Sequence, residues 1–138
     1  MDREGLLAEL ETLDSSLYFI MVILGAILLN WLALRAQREE ACAALEGANT
    51  SHFPSVFPLR LGGSALIIGA LGFFFCLALV REGAAQAGDD PVEGRSAWLN
   101  SLASALVLAA ALVRLEDLLF AEASGQQALL EEEVQPPV

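Results

Sequence analysis

The chain has 138 residues, of which 56% are hydrophobic, and its mean hydropathy of +0.57 does not suit a water-facing surface. Eighteen acids stand against seven basic residues, all of them arginine, for a formal net charge of -11. That balance disfavours nucleic acid and anionic lipid surfaces as partners, because both call for a basic footprint. Arginine without lysine, together with abundant Ala, Leu and Gly, hints at GC-rich coding and a bacterial source.

Three stretches carry no ionisable side chain, at residues 15–34, 61–80 and 96–113. At about 1.5 Å rise per residue, runs of roughly 18 to 20 residues match a hydrocarbon core about 30 Å thick. The expected fold class is therefore an all-α integral membrane protein, with three transmembrane helices in a small antiparallel bundle and the lipid bilayer as first partner. A soluble bundle fails on the second run, "LGGSALIIGALGFFFCLALV", which has no polar face for water to wet.

Residues 1–14 place Leu6, Leu7, Leu10 and Leu13 at helical spacing opposite a band of acids, an acidic amphipathic segment on the membrane surface. Ser15 and Ser16 are candidate caps for the span 15–34, and Tyr18 and Trp31 sit where interfacial aromatics belong. This first run does not read as a cleaved signal peptide. Acids rather than bases precede it, and "LRAQREE" after it lacks a small-residue cleavage pattern.

Helix should continue to about residue 46, supported by Arg35 and Glu39 at i, i+4, with Gly47 as its stop. Residues 47–58 then read as an irregular loop in which Phe53 and Phe57 dip into the interface, and Pro58 leads into the second span, 59–80. Residues 81–95, "REGAAQAGDDPVEGR", read as an acidic, glycine-rich turn. The third span, 96–120, ends in a charged exit, and 121–138 is an acidic tail passing from frayed helix into disorder.

Helices in lipid associate where small residues let backbones approach. Gly62, Ala65, Gly69, Gly72 and Cys76 form such a stripe in the second span, and Ala97, Ser101, Ala105 and Ala109 form another in the third. The plainer use of both is packing within one chain, since a three-helix bundle needs close faces of its own; the other is contact between subunits. Asn30 and Asn100, the amides inside the spans, read as interhelical hydrogen-bonding groups before they read as a polar path. No span holds a carboxylate, histidine or lysine between its ends, which speaks against a proton-coupled transporter.

The third run ends at Arg114, Glu116 and Asp117. Some 18 uncharged residues precede Arg114, so these charges mark an exit, with the guanidinium reaching for the headgroups and Arg114 and Asp117 able to form a wet ion pair worth ~0.5 kcal/mol.

Catalytic and cofactor chemistry finds no foothold. His52 lies in a loop without a second histidine or a cysteine pair, and no span offers a haem ligand. Ser51 beside His52 is adjacency without a triad. "GGSALIIGALG" follows no strand, which excludes a phosphate loop. Asn49-Thr50-Ser51 fits a glycosylation sequon by chance, on the side assigned below to the cytoplasm. Cys42 and Cys76 lie roughly 22 Å apart in depth at ~1.5 Å per residue and are expected as free thiols.

Arg35, Arg38, Arg60 and Arg114 fall on one side of the three runs, and Arg3, Arg81 and Arg95 on the other. The positive-inside rule then gives N-terminus outside, C-terminus in the cytoplasm, in a bacterial cytoplasmic membrane. In small size and N-out, C-in layout the chain resembles the three-span class of phage holins, which implies a pore-forming oligomer; holin tails are typically basic, and this one is acidic. The residues themselves read as a non-enzymatic protein that works by helix–helix assembly. It is an accessory or scaffold subunit of a membrane complex or a homo-oligomer, with a pore-forming oligomer or a transporter subunit as the alternatives.

Overall fold

The computed structural model describes residues 2–134 and is all-α: α1 spans Arg3–Leu45, α2 Phe57–Ala87 and α3 Pro91–Val134. The helices run antiparallel in sequence order. α2 packs against both neighbours, while α1 and α3 do not pack against each other. α2 is thus a central rib with a helix on each flank.

The helices are longer than the three apolar runs, and their ends explain why. α1 begins at Asp2, whose carboxylate accepts from the Gly5 N–H at 2.9 Å, so the amphipathic segment and the first run form one continuous helix. Ser16 does not cap anything: its hydroxyl bonds back to the Thr12 carbonyl at 2.8 Å inside the helix. The stop does fall at Gly47, with φ of 78°. There the Ala48 N–H returns to the Ala43 carbonyl at 3.0 Å and the Gly47 N–H to Ala44 at 3.1 Å, a pattern that needs the left-handed residue glycine supplies.

The expected turn at 81–95 shrinks to three residues, 88–90. Ala84, Ala85 and Ala87 are strong helix formers, and Glu82 and Gln86 hydrogen-bond at i, i+4, so α2 runs on to Gly88. Asp90 then accepts from the Val92 N–H at 2.9 Å with Pro91 in the first helical position, which starts α3 at once. At the far end α3 continues through the expected tail as far as Val134, and residues 135–138 lie outside the described part.

By length and composition two helices, α1 and α2, are apolar enough to cross a membrane. That is one fewer than the three expected. The run in α3 is diluted by Ser96, Asn100, Ser101 and Ser104.

The core consists of alanine. Among the described residues, Ala26, Ala33, Ala70, Ala78 and Ala85 are the buried hydrophobic ones, and no large side chain is fully buried. Ala26 and Ala33 are seven apart, as are Gly63 and Ala70 and then Ala78 and Ala85, the repeat of a close-packed left-handed helix pair. Large apolar residues point outward along all three helices, Leu17, Met21, Leu28, Leu106 and Val113 among them.

Candidate functional site

Because α1 and α3 flank α2 without meeting, an open groove of about 760 Å³ runs between them with α2 as its floor. Ile23, Ile27, Asn30 and Leu34 form one wall, and Arg60, Ser64, Ile67 and Leu71 the floor. Val107, Ala110, Ala111, Arg114 and Asp117 line the other wall. The spacing of three and four residues on each helix keeps these side chains on one face.

Polarity changes along the groove. Its middle is aliphatic, and its polar groups gather toward the end formed by the start of α2, where Asn30, Arg60, Ser64, Arg114 and Asp117 come together. Arg60 is half-buried and donates to the Gln37 side chain on α1 at 2.6 Å. Ser101 on α3 donates to the Ala78 carbonyl on α2 at 3.1 Å. These two side-chain bonds join the helices among the described residues, and they fix the register.

From the pairing of Ser101 with Ala78, thirteen residues on along α3 and thirteen back along α2 set Arg114 level with Ala65. Arg60 lies five residues nearer the helix end, roughly 7 Å at about 1.5 Å per residue. Arg114 therefore stands about a turn deeper than Arg60, within reach of the same level for a long side chain.

The ion pair expected between Arg114 and Asp117 is not made. Among the described residues the ion pair is Arg35–Glu39, at 3.3 Å and exposed. Both Arg114 and Asp117 are exposed along the groove wall, and neither groove arginine is ion-paired with a carboxylate among the described residues.

The packing residues read from the sequence divide. On α3, Ser101 is buried against α2 with Ala97 and Ala105 half-buried on the same side. On α2 most of the stripe turns away from both neighbours. Ala65, Gly69 and Cys76 are exposed, and a Cβ at Gly69 or Gly72 would meet nothing within 4 Å. Gly62 touches only Leu29, at 3.6 Å. The close approach is made one residue along, at Gly63, where a Cβ would stand 3.1 Å from Asn30 Oδ1 and 3.3 Å from the Ala26 carbonyl oxygen. The seven-residue spacing of Gly63 and Ala70, matched by Ala26 and Ala33, was the available signal.

Asn30 sits over Gly63 and lines the groove, whereas Asn100 is exposed on the outside of α3. Both cysteines are free and exposed. No cluster of metal-ligating side chains occurs among the described residues. No protein-family model, curated protein or solved structure matches the chain.

Proposed function

We propose that the chain is an integral membrane protein in which all three helices cross the bilayer, and that it acts without catalysis, by assembling through helix contacts. The observation that carries this reading is the inverted core: alanine inside, leucine, isoleucine and methionine outside. A water-soluble bundle gains stability by burying its large aliphatic side chains, and long exposed apolar faces cost it solubility. Here only 11% of the apolar window in α1 and 17% of that in α2 is buried, whereas a core helix of a soluble protein is mostly buried. In lipid the same arrangement is favourable, because tails solvate the leucines and small residues let the backbones close. α3 accompanies α2 through the bilayer, being packed along it with Leu102, Leu106 and Val113 turned outward.

The α2 stripe extends the reading from location to assembly. Packing within the chain leaves Ala65, Gly69 and Cys76 open on the side away from the groove, so this close-approach face is available to a helix outside the chain. A second copy or the helix of a larger complex fits it equally in chemistry, as a homo-oligomer or an accessory subunit requires. In a Cys42→Ser background, copper-phenanthroline oxidation in membranes is expected to give a disulfide-linked dimer through Cys76 if the partner is a second copy. Gly69→Leu should abolish that dimer. A chain that stays monomeric under oxidation and pulls down a defined membrane partner would assign the accessory role, and collapse of the membrane potential on overexpression would favour the pore.

Orientation is tested with the other thiol. Cys42 lies at the same end of the bundle as Arg35, Arg38 and Arg60, assigned to the cytoplasm. A membrane-impermeant maleimide should leave Cys42 unlabelled in intact cells and label it after permeabilisation. Labelling from outside would invert the topology.

A further inference from the structure

We propose that the groove between α1 and α3 is a binding site for one anionic phospholipid, its phosphate held by Arg60 and Arg114 and an acyl chain laid along the aliphatic trough. This rests on the membrane-spanning reading above, for the groove has lipid as its surroundings only if the helices cross the bilayer.

Three features point to this occupant. The first is the distribution of polarity: Ile23, Ile67 and Val107 line the middle without a polar group, while Arg60, Ser64, Arg114 and Asp117 gather toward one end beside Leu34, Leu118 and Ala121, so the polar groups lie at one end of an apolar trough as in a lipid. The second is depth. Arg60 immediately precedes the uncharged run of α2 and Arg114 immediately follows that of α3, which puts Arg60 at the margin of the hydrocarbon layer and Arg114 about a turn deeper, from where its long side chain reaches the same phosphate level. The third is charge. Both guanidiniums line one groove, neither has a carboxylate partner among the described residues, and Arg60 spends one hydrogen bond on Gln37 and keeps its other donors.

Unpaired cations at the edge of hydrocarbon are costly, and a phosphate that accepts from both by charge-assisted hydrogen bonds relieves that cost. Basic pockets between transmembrane helices hold anionic headgroups for this reason. The net charge of -11 disfavours a basic membrane-surface footprint, but the groove presents a local excess of cation, two arginines against Asp117. By the same register Asp117 is level with Gly62, between the two arginines, where its carboxylate would accept from a glycerol hydroxyl of the headgroup. A partner helix in the same groove would bring aliphatic side chains and leave both guanidiniums without an anion.

The full-length protein, purified in mild detergent, is titrated with phosphatidylglycerol and with phosphatidylcholine of the same chain length, and bound lipid is counted by native mass spectrometry. The expected result is one phosphatidylglycerol per chain, bound roughly tenfold more tightly than phosphatidylcholine and not displaced by inorganic phosphate. Arg60→Gln with Arg114→Gln should erase that preference, and Arg35→Gln with Arg38→Gln, outside the groove, should leave it intact. Equal affinity of the wild-type chain for the two lipids overturns the site whatever the variants do. So does a loss of preference in the Arg35/Arg38 variant equal to that in Arg60/Arg114, or displacement by free phosphate, or a groove filled by a second copy. Resistance of the protein to carbonate extraction from membranes tests the spanning reading separately: extraction overturns both, while retention without lipid preference overturns the groove site alone.

Discussion

Gly63→Leu is expected to separate α1 from α2, whereas Gly69→Leu leaves the isolated chain as stable as the wild type. A Cβ at Gly63 already stands 3.1 Å from Asn30 Oδ1 and 3.3 Å from the backbone oxygen of Ala26. The amide of Asn30 can rotate away, but a backbone carbonyl inside a helix cannot, so the two helices must part to admit anything larger. Overpacking of this kind costs about 1–3 kcal/mol. Gly63→Ala should be much milder, because the few tenths of an ångström it demands are offset by the gain of up to about 1 kcal/mol for alanine over glycine in a helix. At Gly69 a Cβ would meet nothing within 4 Å, and the position is exposed, so a leucine there can turn outward. Unfolding in mixed micelles, followed by helical circular dichroism, ranks the three variants. If Gly63→Leu and Gly69→Leu are equally destabilising, the seven-residue pairing of α1 with α2 is wrong.

The same pair of glycines shows what the sequence can reveal. Uncharged runs of this length point to long helices, since they depend only on composition along the chain. Which face of each helix turns inward is a different question, and in a chain that is apolar all round the usual guide, a polar face turned outward, is missing. Gly62, Ala65, Gly69 and Gly72 make an unbroken small-residue stripe, and so do Gly63, Ala70 and Ala78, at spacings of seven and eight. The second makes the closer approach to α1, at Gly63 against Ala26 and Asn30, and that match becomes visible when the two helices are laid antiparallel.

The helix ends depart from segment composition for a related reason. The composition of residues 81–95 suggests a loop, yet three local contacts decide otherwise: the Glu82–Gln86 bond, the Asp90 cap and the proline after it. Caps act on single positions and outweigh the average character of a segment. The groove could not be read from any one helix. Arg60 and Arg114 each look like a boundary charge, and they become neighbours of one cavity only because α1 and α3 stand apart on α2.

Ser101 and Asn100 are adjacent in sequence and alike in carrying a polar group within an apolar run, but they should respond oppositely to leucine. Successive helical residues point about 100° apart, because there are roughly 3.6 residues per turn. Ser101 is thereby 5% exposed, pressed against α2 with its hydroxyl on the Ala78 carbonyl at 3.1 Å, while Asn100 faces outward. Ser101→Ala keeps the close contact and loses one hydrogen bond, a loss of about 0.6 kcal/mol by the average for such bonds between membrane helices. Ser101→Leu must push α3 off the rib, at about 1–3 kcal/mol, and because α3 is one wall of the groove it should also weaken lipid retention there. Asn100→Leu replaces an exposed amide by a group that lipid solvates well, so its effect should be near zero or stabilising. Thermal unfolding of the three variants in bicelles separates the cases. Similar losses for Ser101→Leu and Asn100→Leu would mean that α3 is rotated from the position given by the Ser101–Ala78 bond, and the wall that carries Arg114 would then face away from α2.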